Sequence, residues 1–311
     1  MASETSNQAE INVVTGAFGY TGKYITRLLL ASGVQVKTLT GHPERPDHFG
    51  NQVIAVPFNF DDPAALIDEL SGATALYNTY WVRFSRGEVS FDRAVENSKT
   101  LVRAAKEAGV GRIVHVSITN PSLDSSFPYF NGKAQVEEAI IASGVSYAIV
   151  RPTVVFGVED ILINHIAWLL RRFPLFVVPG QGGYRFQPIF VEDLAEIAVD
   201  AGREKDNLVI DAVGPEVYTF EEFVRLIGQT MGSKSKVVHL PPGLALGLSK
   251  IVGVFLGDVV LTRDEVTGLM SDLLISNAPP AGKTSLKSWL SENLATLSGQ
   301  YASELAHHYR R

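Results

Sequence analysis

Three residues near the middle of the chain, Ser117, Tyr129 and Lys133, carry side chains that can move a proton at a polarised carbonyl. Tyr129 and Lys133 are four positions apart, so on a helix they share one face. A neighbouring ammonium favours the phenolate form of a tyrosine and so eases exchange of its proton. Such a set suits hydride chemistry, because a carbonyl that gains hydride also needs a proton donor.

The surroundings of this trio decide between a structural pair and a catalytic-type site. A tyrosine and a lysine at this spacing are common and are often structural. Ser117 directly follows the apolar run 113–116, which predicts the fifth strand of the chain. Since α/β sheets bind ligands at the carboxyl ends of their strands, this position favours a catalytic-type site. We expect Ser117 to hold a substrate oxygen while Tyr129 transfers the proton.

A glycine-rich turn near the N terminus is the second element with chemical meaning. Gly16, Gly19 and Gly22 follow the apolar run 13–15 and precede an apolar helical pattern. Strand, glycine turn and helix together place backbone N–H groups and the positive end of a helix dipole where a pyrophosphate binds. The alternative is a tight turn without a ligand. We expect the turn to contact a nucleotide through Gly16, Phe18, Gly19, Tyr20, Thr21 and Gly22.

Strand and helix patterns alternate through the first half of the chain, which predicts crossovers and a parallel sheet. The fold class is therefore α/β, a Rossmann-type doubly wound parallel sheet with a smaller, mostly helical C-terminal substrate lobe. We expect the nucleotide-binding domain to cover residues 1–160 with a return segment at about 189–215. The lobe then takes about 161–188 and 216–311.

The second half carries weaker signals. The stretch 173–183 is rich in proline and glycine, and Asp193 is predicted to cap a helix that begins at Leu194. Thr219 to Glu222 resembles a capping box at the start of a helix. From Val237 on we expect helices beside the sheet, the last one over about 285–308, with one apolar face made of Trp289, Leu290, Leu294, Leu297 and Leu305.

Composition excludes several classes of function. The net charge is −6 without a basic run, which argues against nucleic-acid binding. The chain has no cysteine and its seven histidines are scattered, so no metal site is expected. Residues 1–10 lack the features of a signal peptide, and we expect a cytoplasmic protein. The apolar stretch 240–261 favours a buried or interfacial helix over a membrane span, with peripheral membrane contact as the less favoured alternative.

Several motifs of this chain resemble those of the short-chain dehydrogenase/reductase superfamily, in its extended or atypical form. The matching segments are Thr15 to Gly22, the trio Ser117, Tyr129 and Lys133, Arg151 to Gly157, and Phe186 to Ala195. Within that superfamily the chain looks most like epimerase-like proteins related to the NADH dehydrogenase 39-kDa accessory subunit. The resemblance implies a catalytic serine, tyrosine and lysine at Ser117, Tyr129 and Lys133, the lysine also holding the nicotinamide ribose.

The same resemblance keeps a second function open. Our alignment has Ala94 where the family often has an asparagine, and Asn59 where many relatives carry an acidic residue. In the accessory-subunit relatives this fold binds nucleotide without a known turnover. The first hypothesis is an NAD(P)-dependent oxidoreductase or epimerase, and the second is a catalytically silent nucleotide-binding regulatory or assembly subunit.

The choice of nucleotide depends on the end of the second predicted strand. NAD-binding proteins usually have an acidic residue there for the ribose hydroxyls, whereas this chain has Thr40 and Gly41. His42 and Arg45 could meet a 2′-phosphate, although Glu44 could turn back to the ribose and the loop could simply be solvated. NADP(H) is therefore favoured, with NAD(H) as the alternative. Other expected nucleotide contacts are Asn59, Phe60, Asn78, Thr79, Lys133, Pro152 and Val154.

The loop after the fourth predicted strand is expected to form part of a substrate pocket. It interleaves the aromatic residues Tyr80, Trp81 and Phe84 with Arg83 and Arg86, which suggests an aromatic wall with an anion contact. Alternatively, Trp81 and Phe84 pack under the loop. The expected substrate contacts are Tyr80, Trp81, Arg83, Asn120, Phe156, Arg185 and Gln187. Sugar-nucleotide, quinone-like and isoprenoid-like small molecules stay open as substrates, and we expect a monomer or a homodimer.

Overall fold

The computed structural model describes residues 10–44, 47–83, 85, 89–256 and 263–293, without the side chains of 250–256 and 263–265. Two compact units are present. The N-terminal unit comprises the chain up to Arg151 together with Ala195–Ile210, and the C-terminal unit comprises Pro152–Leu194 together with the chain from Asp211 on. The domain boundaries expected from the sequence stay a prediction.

The strands and helices are short, as is usual for an α/β protein. The strands are β1 Ile11–Thr15, β2 Gln35–Thr40, β3 Val53–Pro57, β4 Ala75–Asn78, β5 Arg112–Val116, β6 Ser146–Pro152, β7 Val155–Phe156, β8 Leu175–Pro179, β9 Arg185–Phe186, β10 Ile189–Phe190, β11 Leu208–Ala212, β12 Tyr218–Thr219 and β13 Lys236–Leu240. The helices are α1 Tyr20–Ala31, α2 Pro63–Leu70, α3 Phe91–Glu107, α4 Pro128–Ser143, α5 Ile161–Arg172, α6 Val191–Arg203, α7 Phe220–Thr230, α8 Pro242–Leu256, α9 Arg263–Leu269 and α10 Leu286–Asn293.

The seven-stranded sheet has the order β11-β6-β5-β4-β1-β2-β3. The pairs from β6 to β3 are parallel, with Val13 beside Leu76 and Tyr77 beside Val114. The order reverses at β1, and at such a switch point the loops after β1 and β4 diverge and leave room for a ligand. This sheet, with its flanking helices, confirms the predicted Rossmann-type fold.

Helices α3 and α4 pack on one another and carry much of the hydrophobic core of the N-terminal unit. Ser90 caps α3 by accepting a hydrogen bond from the backbone of Arg93. Gly144 ends α4 at a φ of 75°, a left-handed conformation that glycine adopts without strain. Helix α4 therefore has a defined end, and it carries both Tyr129 and Lys133.

The C-terminal unit contains a strand pair that the sequence did not reveal. β8 and β13 run parallel, with Leu175 beside Lys236 and Val178 beside His239. The prediction of helices from Val237 on is therefore wrong for 237–240. Each strand is a short apolar run whose backbone bonding depends on a partner about 60 residues away, and periodicity within either run cannot identify such a pairing.

The predicted cap at Asp193 is also wrong. Helix α6 begins at Val191, and the Asp193 carboxylate accepts hydrogen bonds from the backbone of Lys283 and Thr284 and from the Thr284 hydroxyl. The aspartate joins two distant segments of the C-terminal unit instead of starting a helix. The capping box at Thr219 and Glu222 is confirmed, since each side chain accepts from the backbone N–H of the other residue.

The last predicted helix is confirmed only at its start. Helix α10 ends at Asn293 with Trp289 and Leu290 buried, whereas Leu294, Leu297 and Leu305 lie outside the described residues. Helix α8 covers much of the apolar stretch 240–261, with Leu244 and Leu248 exposed. Within the part of the chain that the structure describes, no helix has the length and apolar character to cross a bilayer.

Candidate nucleotide and proton-transfer site

The glycine turn between β1 and α1 is compact. Gly16 has a φ of 68°, and the N–H of Gly19 donates to the Gly16 carbonyl at 2.8 Å. A Cβ added at Gly22 would overlap the Gly16 carbonyl, so helix and turn approach one another more closely than a side chain allows. Two of the three glycines are thus required by the backbone itself, the first for its conformation and the third for its proximity.

The start of α1 fits a pyrophosphate group. Gly19 is the N-cap residue, and no described side chain caps the helix or places a negative charge in its first turn. The N–H groups there and the positive end of the helix dipole are the features that bind phosphate oxygens. The turn is held from behind, because Ala17 donates to the Thr38 hydroxyl at 2.9 Å and Gly16 to the Leu39 carbonyl at 2.8 Å.

The carboxyl ends of β1 and β4 are joined by Thr15. Its hydroxyl oxygen accepts from the backbone N–H of Thr79 at 2.7 Å and of Tyr80 at 2.9 Å. The Thr79 hydroxyl donates in turn to the Thr15 carbonyl at 2.5 Å. Asn78 and Thr79, both expected to contact a nucleotide, therefore lie beside the glycine turn in a fixed position.

Lys133 and Ser117 meet at the end of β5. The Lys133 side chain is 2 % exposed, and its Nζ donates to the Val116 carbonyl at 2.8 Å. Burial lowers the pKa of Lys133 to about 7, with Glu137 acting in the opposite direction. Ser117 is 3 % exposed, and its hydroxyl has no hydrogen-bond partner among the described residues. A buried hydroxyl without a partner is costly, and at the carboxyl end of a strand a bound ligand can supply the missing hydrogen bond.

His115 is a buried neighbour of this site that sequence reasoning missed. Its Nδ1 lies 3.2 Å from the Asn78 amide nitrogen, so the amide donates to the ring and leaves the proton on Nε2. Burial, together with the charge of Lys133, holds the pKa of His115 well below its usual value. His115 stands two positions before Ser117, so the strand pattern predicts that the two side chains point to the same face of the sheet. This spacing could have identified His115 from the sequence.

Glu137 and Arg151 fix α4 against β6 and were also missed. The guanidinium bonds the carboxylate through Nε at 3.0 Å and Nη2 at 2.5 Å, and Glu137 is buried. Glu137 stands one turn beyond Lys133 and two beyond Tyr129, so the ion pair holds the face that carries both. The four-residue spacing in the sequence could have identified it.

Trp81 lies over Lys133. Its ring centroid is 4.5 Å from Lys133 Nζ, and its ring meets those of Tyr129 at 5.8 Å and Phe91 at 6.4 Å. The tryptophan expected in a substrate pocket thus packs against two members of the predicted trio. Of the other members of this loop, Arg83 is half-buried, and Phe84 and Arg86 lie outside the described residues.

Tyr80 belongs to a separate aromatic group. It packs on Phe58 and Phe60, both with ring centroids 5.0 Å away, and its hydroxyl accepts from the Asn97 amide at 2.8 Å. Burial raises the pKa of Tyr80. Asn59, between the two phenylalanines, has a φ of 50°, and Phe60 points its ring at Tyr80. Phe60, a predicted nucleotide contact, and Tyr80, a predicted substrate contact, therefore belong to one aromatic cluster made by the loops after β3 and β4.

The loop after β2 contains a side-chain contact between His42 and Glu44. His42 Nδ1 lies 3.3 Å from the Glu44 carboxylate, and its backbone N–H donates to Thr40. Arg45 lies outside the described residues. In the glycine turn Phe18 stacks on Phe49 with ring centroids 6.5 Å apart. At the start of α1 the ring of Tyr20 meets that of Tyr24 edge to face at 6.1 Å, and Thr21 is half-buried.

The remaining predicted contacts are spread over loops and strand ends. Asn120, after β5, is exposed with a φ of 54°. Pro152 ends β6, and the Val154 carbonyl accepts from Ile189 at 2.9 Å. Their nucleotide and substrate roles stay predictions.

Three expected substrate contacts in the C-terminal unit are engaged within that unit. Phe156 is 0 % exposed, packed on Phe190 and Trp289. The Arg185 guanidinium pairs with Asp272 at 3.2 Å. The Gln187 amide donates to the Gly214 carbonyl at 2.8 Å and accepts from Ser276. Packing and hydrogen bonding account for all three residues, and their substrate role stays a prediction.

The fold and the glycine turn define a class of protein. Residues 16–158 match the protein-family model described as NAD(P)H-binding. This part of the chain is therefore similar to NAD(P)H-binding domains, and it has the Rossmann fold that an epimerase and a quinone reductase of solved structure also have.

Among named proteins, the chain is homologous to a subunit of mitochondrial NADH dehydrogenase. It is 25% identical to "NADH dehydrogenase [ubiquinone] 1 alpha subcomplex subunit 9, mitochondrial" of Arabidopsis thaliana, over 86% of this chain and 71% of that protein. The protein of the same description from Mus musculus is also 25% identical, over 86% of this chain and 74% of its own length. The predicted resemblance to accessory-subunit-like proteins is confirmed.

Solved structures of enzymes share the fold. An NADPH-dependent quinone oxidoreductase from Escherichia coli, complexed with NADPH, superposes with a TM-score of 0.74 at 20% identity, over 91% of this chain and 99% of that one. A nucleoside-diphosphate-sugar epimerase from Staphylococcus aureus gives a TM-score of 0.71 at 18% identity, with the same coverage of both chains. At these identities the likeness concerns the fold alone.

Proposed function

We propose that this protein is an NAD(P)(H)-dependent oxidoreductase or epimerase/dehydratase-like enzyme acting on a small molecule, with Tyr129 as its acid/base. The observation that carries the proposal is the buried, unpartnered hydroxyl of Ser117 beside Lys133, at the end of β5. Unpartnered buried hydroxyls also occur away from the sheet edge, as at Ser98 within α3, but Ser117 stands at the carboxyl end of β5, where a bound substrate oxygen would supply its partner.

The residues present fit a dinucleotide. The N terminus of α1 would hold the pyrophosphate, and Asn78 and Thr79 at the end of β4 would contact the dinucleotide next to it. When bound, the nicotinamide supplies hydride transfer to or from a carbon. Ser117 would donate to the substrate oxygen, Tyr129 would exchange its proton with that oxygen, and Lys133 would favour the phenolate. Lys133 already lies on the face of α4 that carries Tyr129.

We further propose that NADP(H) is preferred over NAD(H). None of the three residues 40–42 at the end of β2 is acidic, and the nearest carboxylate, Glu44, is already in contact with His42. A 2′-phosphate would then meet Arg45, and it would replace the Glu44 carboxylate as the partner of His42. Arg45→Ala is expected to weaken NADP binding more than NAD binding in calorimetry. Equal losses for both nucleotides would remove Arg45 from the site.

A specific observation favours the second hypothesis, a nucleotide-binding subunit without turnover. Trp81 covers Lys133, the residue that catalysis requires to be in contact with ligand. A protein that uses its nucleotide for assembly or regulation has no need for an accessible lysine. The homologous subunits of NADH dehydrogenase are consistent with this hypothesis.

The deciding experiment follows the slow oxidation of NADPH with a panel of carbonyl compounds and quinones, for wild type and Tyr129→Phe. Loss of a positioned acid/base is expected to lower the rate by about 10²–10⁴-fold. The variant removes one oxygen, so its melting temperature and NADPH affinity should match those of wild type. Turnover that is equal in both proteins would exclude Tyr129 as the proton donor. Tight NADPH binding with no turnover across the panel would favour the binding subunit.

A further inference from the structure

The contact between Trp81 and Lys133 closes the lysine from solvent. One donor of the ammonium is used by the Val116 carbonyl at 2.8 Å, and the indole face stands 4.5 Å from the nitrogen. Lys133 retains 2 % exposure, although it lies at the ligand-binding edge of the sheet. While the indole stays there, Lys133 is closed to solvent and therefore to a ribose or a substrate that arrives from solvent.

The indole is seated in a notch provided by Gly132. A Cβ added at Gly132 would stand 3.0 Å from Trp81 Cη2 and 3.1 Å from Val95 Cγ2. These distances are shorter than ordinary carbon contacts, so even a single methyl group at position 132 would press on the ring. A glycine directly before the lysine therefore allows the tryptophan to lie flat on α4.

This position leaves one polar group of the tryptophan unsatisfied. Trp81 Nε1 is buried and has no hydrogen-bond partner among the described residues. A buried indole N–H without an acceptor costs free energy that hydration would restore. The ring thus gains aromatic and cation–π contacts with Tyr129, Phe91 and Lys133 but loses its hydrogen bond, and this loss lowers the cost of moving the ring to a hydrated position.

We propose that Trp81 controls access of the nicotinamide ribose to Lys133, and that a dinucleotide engages the lysine only after the indole has left the notch at Gly132. This inference rests on the proposed function. Only molecules in which the ring has moved away can engage a full dinucleotide. The apparent affinity for the dinucleotide is therefore the intrinsic affinity multiplied by the fraction of such molecules. A nucleotide that ends at the pyrophosphate does not reach Lys133 and carries no such cost.

The test compares NADPH and NADH with ADP, which has the adenosine and the pyrophosphate but no second ribose. Calorimetry gives the dissociation constants for wild type, Trp81→Ala and Gly132→Ala. Both variants are expected to bind a dinucleotide about tenfold more tightly than wild type, with ADP affinity unchanged. Trp168→Phe, in the C-terminal unit, is the matched control and should change neither constant. Gly132→Ala retains the tryptophan, so it still tests the inference if Trp81→Ala does not fold.

A direct readout uses the protein labelled with 5-fluorotryptophan, which has three tryptophans and hence three ¹⁹F signals. The signal absent from Trp81→Phe is that of Trp81. It is expected to shift with NADPH and to stay in place with ADP. The inference would be overturned if the Trp81 signal did not shift with saturating NADPH. It would also be overturned if both variants had the same ratio of dinucleotide affinity to ADP affinity as wild type. Absence of binding of every nucleotide to every variant would instead refute the proposed function on which it rests.

Discussion

The ligand-binding edge of the N-terminal unit and the motif residues of the C-terminal unit differ in how their polar atoms are used. At the end of β5, Ser117 Oγ and His115 Nε2 are buried without a partner among the described residues. In the C-terminal unit the side chains of Asp193 and Gln187 are bonded to the backbone of distant segments. Both regions match family motifs, but the motif residues Asp193 and Gln187 have partners within their own unit, whereas Ser117 and His115 retain hydrogen-bonding capacity. Buried unpartnered atoms also occur elsewhere, as at Ser98 and Tyr184, so the position of Ser117 and His115 at the carboxyl edge of the sheet is what makes them candidates for ligand binding.

The difference has a structural origin. The parallel sheet of the N-terminal unit satisfies its own backbone, so side chains at its carboxyl edge are free to serve other purposes. In the C-terminal unit the pairs β7–β10 and β9–β12 comprise two residues per strand. Such short strand pairs provide few backbone hydrogen bonds between the segments of this unit. Side chains such as Asp193 provide additional hydrogen bonds between them.

The largest expected effect concerns the glycine turn. Gly19 is exposed at the N terminus of α1, and an added Cβ would stand 3.1 Å from the Gly16 carbonyl oxygen. Gly19→Val should therefore lower the melting temperature but retain the fold, and it places a side chain where phosphate oxygens bind. Affinity for NADPH is expected to fall about 100-fold or more in calorimetry. Gly22→Val should lose both binding and fold, because its side chain overlaps the Gly16 carbonyl.

The control for the glycine turn is Gly183→Ala in the C-terminal unit, where an added Cβ meets nothing within 4 Å. It should leave melting temperature and affinity unchanged. If Gly19→Val bound NADPH as tightly as wild type, the nucleotide would have to bind elsewhere. The contrast drawn between the two regions would then be wrong.

The next effect compares one ion pair from each unit. Glu137 and Arg151 form a pair in which the carboxylate side chain is 5% exposed, whereas Arg185 and Asp272 are 51% and 42% exposed. Removal of one buried charge leaves the other uncompensated, so Arg151→Met is expected to cost about 3–5 kcal/mol in urea unfolding. Arg185→Met should cost less than about 1 kcal/mol. Equal costs would show that the face of α4 bearing Tyr129 and Lys133 is not held by this pair.

The last expected effect is a dependence of stability on pH. The pKa of Lys133 is lowered by burial to about 7, so between that value and its unfolded pKa the unfolded chain binds the extra proton. Stability then rises with pH over this window, by at most about 1.4 kcal/mol per unit, and the contribution is lost below the folded pKa.

Lys133→Met removes this dependence. The difference in free energy of unfolding between wild type and variant should therefore shift in favour of wild type from pH 7 to pH 9.5, as measured by urea titration. A difference that stays constant over that range would mean that the lysine remains charged beneath Trp81.

Much of the fold was determined by the sequence alone. Apolar runs bounded by turn residues located the strands of the parallel sheet, and Thr219 with Glu222 marked the start of α7. The spacing of Gly16, Gly19 and Gly22 indicated the nucleotide-binding turn, which the match to an NAD(P)H-binding family supports. These features are local, because a cap, a turn or a helix face depends on residues within a few positions of one another.

Tertiary structure decided what each side chain contacts. The pairing of β8 with β13, the partners of Asp193 and the position of Trp81 over Lys133 all join residues about 50 or more positions apart. No periodicity records such contacts, since a short apolar run or a single carboxylate is compatible with many partners until the chain has folded. The sequence therefore specified the groups available for chemistry, and packing determined that the lysine among them lies beneath an indole ring.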